Sequence, residues 1–272
     1  YVFSHAALLG WKEGAALSDR AFEYLIAKGR ARDGGWVRTL TRQGEIKDPT
    51  PDLYDIAFVL FGLAWRYRLT RDGAVLHLAH ETCDFLQEKM RAPHGGFWHW
   101  LPPTGPRLAN PHMHMLEACL ALFEASGEPR FLDQAREVVA LFRGRLFDGR
   151  NVGERFTHDW GRVGGEEGRA LEPGHQFEWA WILAQYQRIA GEDMTQSASA
   201  LVAFGERGVS SNSHAVVDSV RDDGAPLSLS SRSWCNTERI KAHLALFEMG
   251  RNEAVAEVGE SLDLLLDRYL AV

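Results

Sequence analysis

The sequence is poor in cysteine and has no long apolar run. Its three cysteines are an odd number and lie far apart, which excludes a disulfide framework and the close spacing of a zinc site. No eighteen consecutive residues are apolar, which excludes a transmembrane helix. The segment Tyr1–Gly10 has no basic region ahead of an apolar run, so it is not a signal peptide. We therefore expect a cytoplasmic protein that does not bind a membrane.

Positive charge is not in excess either. The 272 residues contain 30 Lys and Arg against 37 Asp and Glu, a net charge of -7, which argues against nucleic acid as a partner. With 45% apolar and 25% charged residues, the composition is that of a globular protein, and the length fits a single barrel domain. The sequence has no Gly-x-Ser-x-Gly motif, no phosphate loop and no Gly-x-Gly-x-x-Gly motif.

A repeat of about sixty residues organises the chain. A glycine-rich turn at Gly34-Gly35-Trp36 recurs at Gly95-Gly96-Phe97, 61 residues later, with a weaker copy at Gly153–Phe156. A fourth copy, at His214–Val217, has no glycine. Each copy precedes a polar loop, a mostly apolar helical segment, a short turn and a second helical segment.

The two helical segments of each repeat differ in polarity. The first type is apolar nearly all round, as in a helix enclosed on both sides, whereas the second is apolar on one face. Closed on itself, this alternation gives an all-α toroidal barrel, an inner ring of helices within an outer ring, with the binding cleft at the end that carries the glycine turns. The first type is expected at Leu53–Tyr67, Pro111–Ala125, Pro173–Ile189 and Trp234–Met249, the second at Asp72–Met90, Pro129–Phe147, Asp193–Arg207 and Asn252–Leu270, and further helices at Tyr1–Leu9 and Ala15–Arg30.

Two histidines stand at the starts of helices of the first type. His114 and His175 are 61 residues apart, which predicts equivalent places in adjacent repeats. Each has a glutamate, Glu117 or Glu178, three residues later on the same helical face. A lone histidine at a helix start is ordinarily a cap or a core residue, and internal hydrogen-bond networks are an alternative use for these pairs. Their coincidence in two repeats favours a functional site, because buried polar pairs are costly unless they are used.

Proton transfer is the chemistry that these pairs favour. Histidine titrates near neutral pH, and a neighbouring glutamate can orient its ring and stabilise its charged form. The order His-x-x-Glu differs from the Glu-x-x-His of di-iron bundles and from the His-Glu-x-x-His of zinc proteases, so a metal site is the weaker alternative to proton transfer. We expect no metal and no other cofactor. Aromatic side chains that could stack on a sugar, or belong to the core, are Trp36, Phe97, Trp98, Trp181 and Trp234.

Three longer motifs resemble the N-acylglucosamine 2-epimerase superfamily. They are Asn110–Ala118, which reads Asn-Pro-His-Met-His-Met-Leu-Glu-Ala, with Glu172–Trp181 and Arg232–Ala242. The Asn-Pro-His-Met-His form is most similar to the D-mannose isomerase branch, and the resemblance runs over nearly the whole chain. It implies an (α/α)6 barrel, in agreement with the repeat, and metal-free isomerisation or 2-epimerisation of sugars through a cis-enediol(ate).

The resemblance also implies individual site residues. His175 matches one of the family's two catalytic histidines, Glu178 its acidic partner, and His114 a residue that aids ring opening. A small sugar, bound without a cofactor by a monomer or homodimer, is the implied ligand. The residues expected to hold it or to line the cleft are Asn110, Glu117, Tyr54, Asp55, Phe58, Arg232, Trp234 and Glu238.

The chain departs from the family pattern in three respects. The family's second catalytic histidine lies near its C-terminus in a Ser-Leu-Tyr-His-like stretch, and an arginine comes from its first inner helix; neither is found within residues 1–272. Trp234-Cys235-Asn236 stands where the family usually has Trp-Pro-Gln. We therefore expect one catalytic barrel domain over residues 1–272, truncated at both ends relative to the family.

The sequence thus predicts an aldose–ketose isomerase that interconverts D-mannose-type sugars and fructose by histidine proton transfer. A 2-epimerase acting on N-acylglucosamine or cellobiose is the first alternative. A sugar phosphate is another candidate substrate, because Arg107, Arg162 and Arg169 could meet a phosphate. A glycosidase would use Glu117 and Glu178 as paired carboxylates, and a sugar-binding fragment would bind without turnover.

Overall fold

The computed structural model describes residues 1–251 and 255–270. It divides the chain into two compact units, Tyr1–Leu141 and Phe142–Val272, here called the first and second unit. Within the described residues, no helix has the length and apolar character needed to cross a bilayer. The expectation of one domain over residues 1–272 stays a prediction.

Helices make up most of both units, as predicted. The first unit contains α1 Val2–Leu8, α2 Gly14–Tyr24, α3 Leu53–Thr70, α4 Gly73–Phe85, α5 Asn110–Ser126 and α6 Pro129–Leu141. The second contains α7 Gly165–Arg169, α8 Pro173–Ala190, α9 Thr195–Gly205, α10 Ser233–Glu248 and α11 Val255–Leu264. A π-helical turn follows α2, α4, α6 and α11, at Leu25–Gly29, Leu86–Met90, Phe142–Leu146 and Leu265–Tyr269, and a 3₁₀ turn follows α9 at Glu206–Gly208. The start predicted at Asn252 lies outside the described residues.

The helix ends follow from local sequence. Asp52 accepts a hydrogen bond from the backbone N–H of Tyr54 at 2.8 Å and so caps α3. The helices α5 and α8 each carry a proline in their first turn, and each ends at a left-handed glycine, Gly127 or Gly191. The caps and turns of these helices are therefore specified by residues at their own ends.

The predicted enclosure of the inner helices is confirmed for two of them. In α5, 12 of 17 residues are buried, and in α8, 11 of 18. The helix α3 differs: Leu53, Ile56 and Leu60 are fully buried, each worth roughly 1.5–3 kcal/mol, but Tyr54 and Phe58 are 38% and 39% exposed. These two rings contact His114 of α5.

Short strands connect the helices near the starts of α3, α5, α8 and α10. They are β1 Thr39–Leu40, β2 Ile46–Asp48, β3 Arg107–Leu108, β4 Arg155–Phe156, β5 Ala170–Leu171, β6 Ser219–Arg221 and β7 Pro226–Ser228. In the first unit β1 pairs with β2. In the second unit β5, β6 and β7 form an antiparallel sheet in which Leu171 pairs with Val220. Because Leu171 and Val220 are buried, this sheet fixes the neighbouring polar residues Glu172 and Asp218.

Short turns close small antiparallel bridges in every repeat, and the first three of these turns contain glycine. Arg30 pairs with Trp36, Arg91 with Phe97, Phe147 with Val152, and Val209 with Val216. The third bridge therefore falls at Val152, whereas the sequence placed it at Gly153–Phe156.

A polar side chain of the following helix holds each of the last three turns. His112 accepts from Phe97 N–H, Gln176 from Val152 N–H and Asn236 from Val216 N–H, at 3.0, 2.9 and 2.9 Å. These hydrogen bonds make His112, Gln176 and Asn236 equivalent positions of their helices. His114, two residues after His112, therefore corresponds to Glu178, and the predicted equivalence of His114 and His175 is wrong. The two partners of these hydrogen bonds are 15, 24 and 20 residues apart in the sequence. The longest connection, from Val152 to Gln176, contains α7.

Candidate active site

The first unit brings a histidine, a glutamate and two aromatic rings together. His114 lies in the second turn of α5, and its Nδ1 is 3.2 Å from Oε2 of Glu117, one turn later. The centroid of its ring is 5.0 Å from that of Tyr54 and 4.6 Å from that of Phe58. The buried imidazole thus lies between a carboxylate and partly exposed aromatic faces, which can stack against the C–H face of a sugar.

Asn110 and Asp55 lie at the starts of the two helices that carry this group. Asn110 is the first residue of α5 and is half-buried. Asp55 is half-buried in the first turn of α3, and its pKa is raised, because burial disfavours its charge and Asp52 repels it. Arg38 offsets only part of this effect. Asp55 therefore takes up a proton more readily than an exposed aspartate does.

His112 has a structural role. Its Nε2 accepts a hydrogen bond from Phe97 N–H, and its Nδ1 donates one to the carbonyl oxygen of Leu108, both at 3.0 Å. Both bonds require the neutral ring with the proton on Nδ1. Burial lowers the pKa of His112 to about 3, so it carries no charge near neutral pH.

In the second unit, the histidine of α8 forms a hydrogen bond with a glutamate that lies outside this helix. His175, in the first turn of α8, donates from Nδ1 to Oε2 of Glu154 at 3.0 Å, and Oε1 of Glu154 accepts from Glu172 N–H at 3.1 Å. Glu154 was not predicted from the sequence, because it precedes His175 by 21 residues and lies in a loop. The sequence feature that points to Glu154 is its position directly after Gly153, in the third copy of the repeated turn.

The charge on His175 is set by carboxylates. Burial lowers its pKa, but Glu154, through both charge and hydrogen bond, and then Glu172 and Glu178 outweigh burial and raise the pKa to about 9. His175 is therefore an imidazolium at neutral pH. This pairing stabilises the fold fully below the ordinary pKa of 6.5, and the stabilisation is lost as pH rises through about 9.

An indole ring flanks His175. The ring centroid of Trp234, near the start of α10, is 5.4 Å from that of His175. The contact depends on Gly174, because a Cβ there would lie 2.6 Å from the indole. Arg232 also lies over the ring of Trp234, at 5.2 Å, and it donates to Glu172 at 3.0 Å and to Asp218 at 2.9 Å. Asp218, which was not predicted either, thereby fixes Arg232.

The remaining predicted residues of the second unit are two glutamates. Glu178 is half-buried, one turn after His175, and acts on it through charge. Glu238 of α10 is buried, with Oε2 2.6 Å from Nζ of Lys241. Lys241 in turn lies 5.5 Å from the ring of Trp181.

Two of the aromatic residues considered for sugar stacking are core residues. Trp36 is 2% exposed and donates from Nε1 to Thr82, and Phe97 is 5% exposed. Trp98 is half-buried beneath Arg107, 5.4 Å away. Trp234 and Trp181 are the half-buried rings that keep accessible surface near predicted site residues.

The arginines considered for a phosphate are bound within the protein. Arg107 is buried and donates to the carbonyl oxygens of Pro93, Gly95 and Phe97. Arg162 donates to Asn151 and lies 3.1 Å from Asp148, and Arg169 donates to Asp222 and Asp223. Their hydrogen-bonding groups are used by the protein itself, so none of the three supports a phosphate site.

In the first unit, a nitrogen of His114 and a carboxylate oxygen of Glu117 are the atoms that could coordinate a metal ion. In the second unit, Nδ1 of His175 is bound by Glu154. The prediction of a metal-free and cofactor-free reaction stays a prediction.

Comparison with known proteins gives one consistent result. The family model for N-acylglucosamine 2-epimerase (GlcNAc 2-epimerase) matches residues 1–272. Mannose-6-phosphate isomerase of Rhizobium meliloti (strain 1021) is 30% identical over 100% of this chain and 73% of its own length. D-mannose isomerase of Thermobifida fusca is 28% identical over 89% of this chain and 66% of its own length.

Solved structures show the same fold. A D-mannose isomerase superposes with a TM-score of 0.90 at 20% identity, covering 97% of this chain and 73% of that one. Cellobiose 2-epimerase of Spirochaeta thermophila DSM 6192 gives a TM-score of 0.88 at 22% identity, covering 98% and 72%. The all-α fold of the (α/α)6 epimerase type is confirmed. The chain belongs to the N-acylglucosamine 2-epimerase family of sugar isomerases and epimerases.

Proposed function

We propose that this protein is an aldose–ketose isomerase that converts D-mannose-type sugars into D-fructose through a cis-enediol(ate). The observation that carries the proposal is His175, held as an imidazolium by Glu154 at 3.0 Å beside the ring of Trp234. Sequence similarity to a D-mannose isomerase supports the choice of sugar.

The reaction moves one hydrogen from C2 to C1 of the open-chain sugar. A base removes the C2 proton, the C1–C2 double bond forms and O1 takes up a proton, giving the enediol. A proton then adds to C1 while the O2 proton leaves, and C2 becomes the ketone carbon. Because His175 is protonated at neutral pH, we assign it the delivery of a proton from Nε2 to C1.

His114 is the proposed aid to ring opening. Glu117 at 3.2 Å orients its imidazole, and Tyr54 and Phe58 offer faces for the sugar. In the second unit we propose Trp234 as a stacking face and Glu178 as a charge that supports His175. Asn110, Asp55, Arg232 and Glu238 are the proposed polar contacts of the substrate.

Epimerisation at C2 is the second candidate, favoured by the match to a cellobiose 2-epimerase structure. It shares the enediolate and differs in returning the proton to C2 from the opposite face. The glycosidase alternative has less support, because Glu117 is bound to His114 and Glu178 acts on His175.

Isotope exchange tests the function. The purified protein, expressed from its complete reading frame, is incubated with D-mannose in heavy water and followed by proton NMR. We expect fructose that carries deuterium at C1, since His175 exchanges its proton with the solvent. Glucose with deuterium at C2 would establish the epimerase instead. Unchanged mannose, while D-glucose, N-acetylglucosamine and cellobiose also stay unchanged, would contradict both.

An uncharged hexose is the expected substrate. Four carboxylates, those of Glu154, Glu172, Glu178 and Asp218, surround or adjoin His175 and Arg232, so a phosphate near this group meets excess negative charge. We expect kcat/KM for D-mannose to exceed that for D-mannose 6-phosphate by at least about tenfold, which corresponds to about 1.4 kcal/mol. Steady-state assays at 0.1 M salt measure the ratio; a preference for the phosphate would overturn this assignment.

A further inference from the structure

We propose that Glu154 is a positioning residue for His175: its carboxylate holds Nδ1 of the ring, so that the transferable proton is the one on Nε2. The proposal rests on the isomerase function given above. Glu154 belongs to none of the motifs that carry the family resemblance, and it lies in the loop between the bridge residue Val152 and β4.

Both oxygens of Glu154 are used. Oε2 accepts from His175 Nδ1 at 3.0 Å, and Oε1 accepts from the backbone N–H of Glu172 at 3.1 Å. The side chains of Glu154 and His175 are only 13% and 11% exposed. Because Glu172 is the N-cap of α8, the carboxylate is tied to the same helix that carries the imidazole. Two attachment points fix its distance and its orientation to the ring.

The loop is held in place without the help of His175. Gln176 accepts from Val152 N–H at 2.9 Å and donates to Val152 C=O at 3.0 Å, two residues before Glu154. A Cβ on Gly153 would lie 2.9 Å from the ring of Phe156, so the chain passes close to its own side chains there. Glu154 is therefore in position before any proton moves, as preorganised catalysis requires.

The neighbouring carboxylates cannot replace it. Glu172 accepts a hydrogen bond from Arg232 at 3.0 Å and acts on His175 through charge. Glu178 lies one turn along α8 and acts on His175 through charge. Glu154 is the carboxylate whose hydrogen bond to Nδ1 the structure defines.

The two partners of Glu154 are both donors, which makes a carboxylate the required group. In the position of the Glu154 carboxylate, a glutamine sets its acceptor oxygen against one of the two donors and its NH₂ group, itself a donor, against the other. Glu154→Asp keeps the charge but is one methylene shorter. The two variants therefore separate the loss of charge from the loss of reach.

The test is the pH profile of mannose isomerisation between pH 5 and 10. Proton donation by His175 is lost as pH rises through its pKa, so the wild-type kcat falls near pH 9. In Glu154→Gln we expect this alkaline limb to move down by at least one pH unit, with KM changed less than about threefold. In Glu154→Asp, kcat should fall at a pH between those of the wild type and of Glu154→Gln. Glu167→Gln, which changes an exposed carboxylate of α7 near Arg155, is the control and should keep the wild-type profile.

A second readout does not depend on turnover. The titration of His175 is followed by NMR of isotope-labelled histidine, with its signal assigned by its absence in His175→Gln. A lower His175 pKa in folded Glu154→Gln supports the proposal even if no sugar is turned over, in which case the proposed function alone fails. An unchanged His175 pKa and an unchanged alkaline limb in Glu154→Gln would overturn it.

Discussion

His175→Gln is expected to lower kcat for mannose isomerisation by about 10²–10⁴-fold, the range for the loss of one positioned proton carrier. Glutamine keeps a polar side chain beside Glu154 and Trp234 but cannot deliver a proton from Nε2. KM should change little, because Trp234, the proposed stacking face for the sugar, remains. Steady-state assays at pH 7 measure kcat, and circular dichroism checks the fold.

Deuterium exchange sharpens this result. In His175→Gln, the incorporation of deuterium at C1 of fructose should slow in parallel with turnover. His158→Gln, an exposed histidine of the same unit, is the matched control and should keep wild-type kcat. Near-normal turnover in folded His175→Gln would remove His175 from the mechanism.

Arg107→Met is expected to lower the free energy of unfolding by about 3–5 kcal/mol, because three carbonyl groups lose a charged hydrogen-bond donor. The guanidinium donates to the carbonyl oxygens of Pro93, Gly95 and Phe97, at 3.1, 2.8 and 3.0 Å, and methionine cannot donate. Buried carbonyl groups that lose their donors cost about 1–3 kcal/mol each. Urea unfolding followed by tryptophan fluorescence measures the change.

The control for Arg107 is an exposed arginine of the same unit. Arg42→Met should change the free energy of unfolding by less than about 0.5 kcal/mol, the usual range for surface positions. Equal midpoints for Arg107→Met and Arg42→Met would show that the three carbonyl groups find other partners. A loss of activity without a loss of stability would return Arg107 to the candidate ligands of a phosphate.

The helices could be predicted because their signals are local. The proline at Pro173 and the glycines at Gly127 and Gly191 mark helix ends by backbone chemistry alone. The apolar spacing of Val138 and Leu141 reports a buried face, and both are buried. His114 and Glu117 lie one turn apart, so their contact also follows from helix geometry.

The partners of His175 could not be predicted in this way. Glu154 and Asp218 reach the start of α8 through loops and a small sheet, and no periodicity specifies which loop residue meets which helix. The repeat spacing was also misleading at this point. The spacing of 61 residues is the distance between the first two glycine turns. Because α7 is inserted before α8, the start of α8 does not keep this spacing, and His175 was aligned with the wrong residue of α5.

The two hydrogen bonds of His112 make this ring an internal reference for the NMR titration of His175. With Phe97 N–H on one nitrogen and Leu108 C=O on the other, the ring keeps a single tautomer from mildly acidic to strongly alkaline solution. Its chemical shifts should therefore stay constant over the range in which His175 titrates. A drift of both signals together would report a change of the fold, and a drift of His175 alone would report a proton.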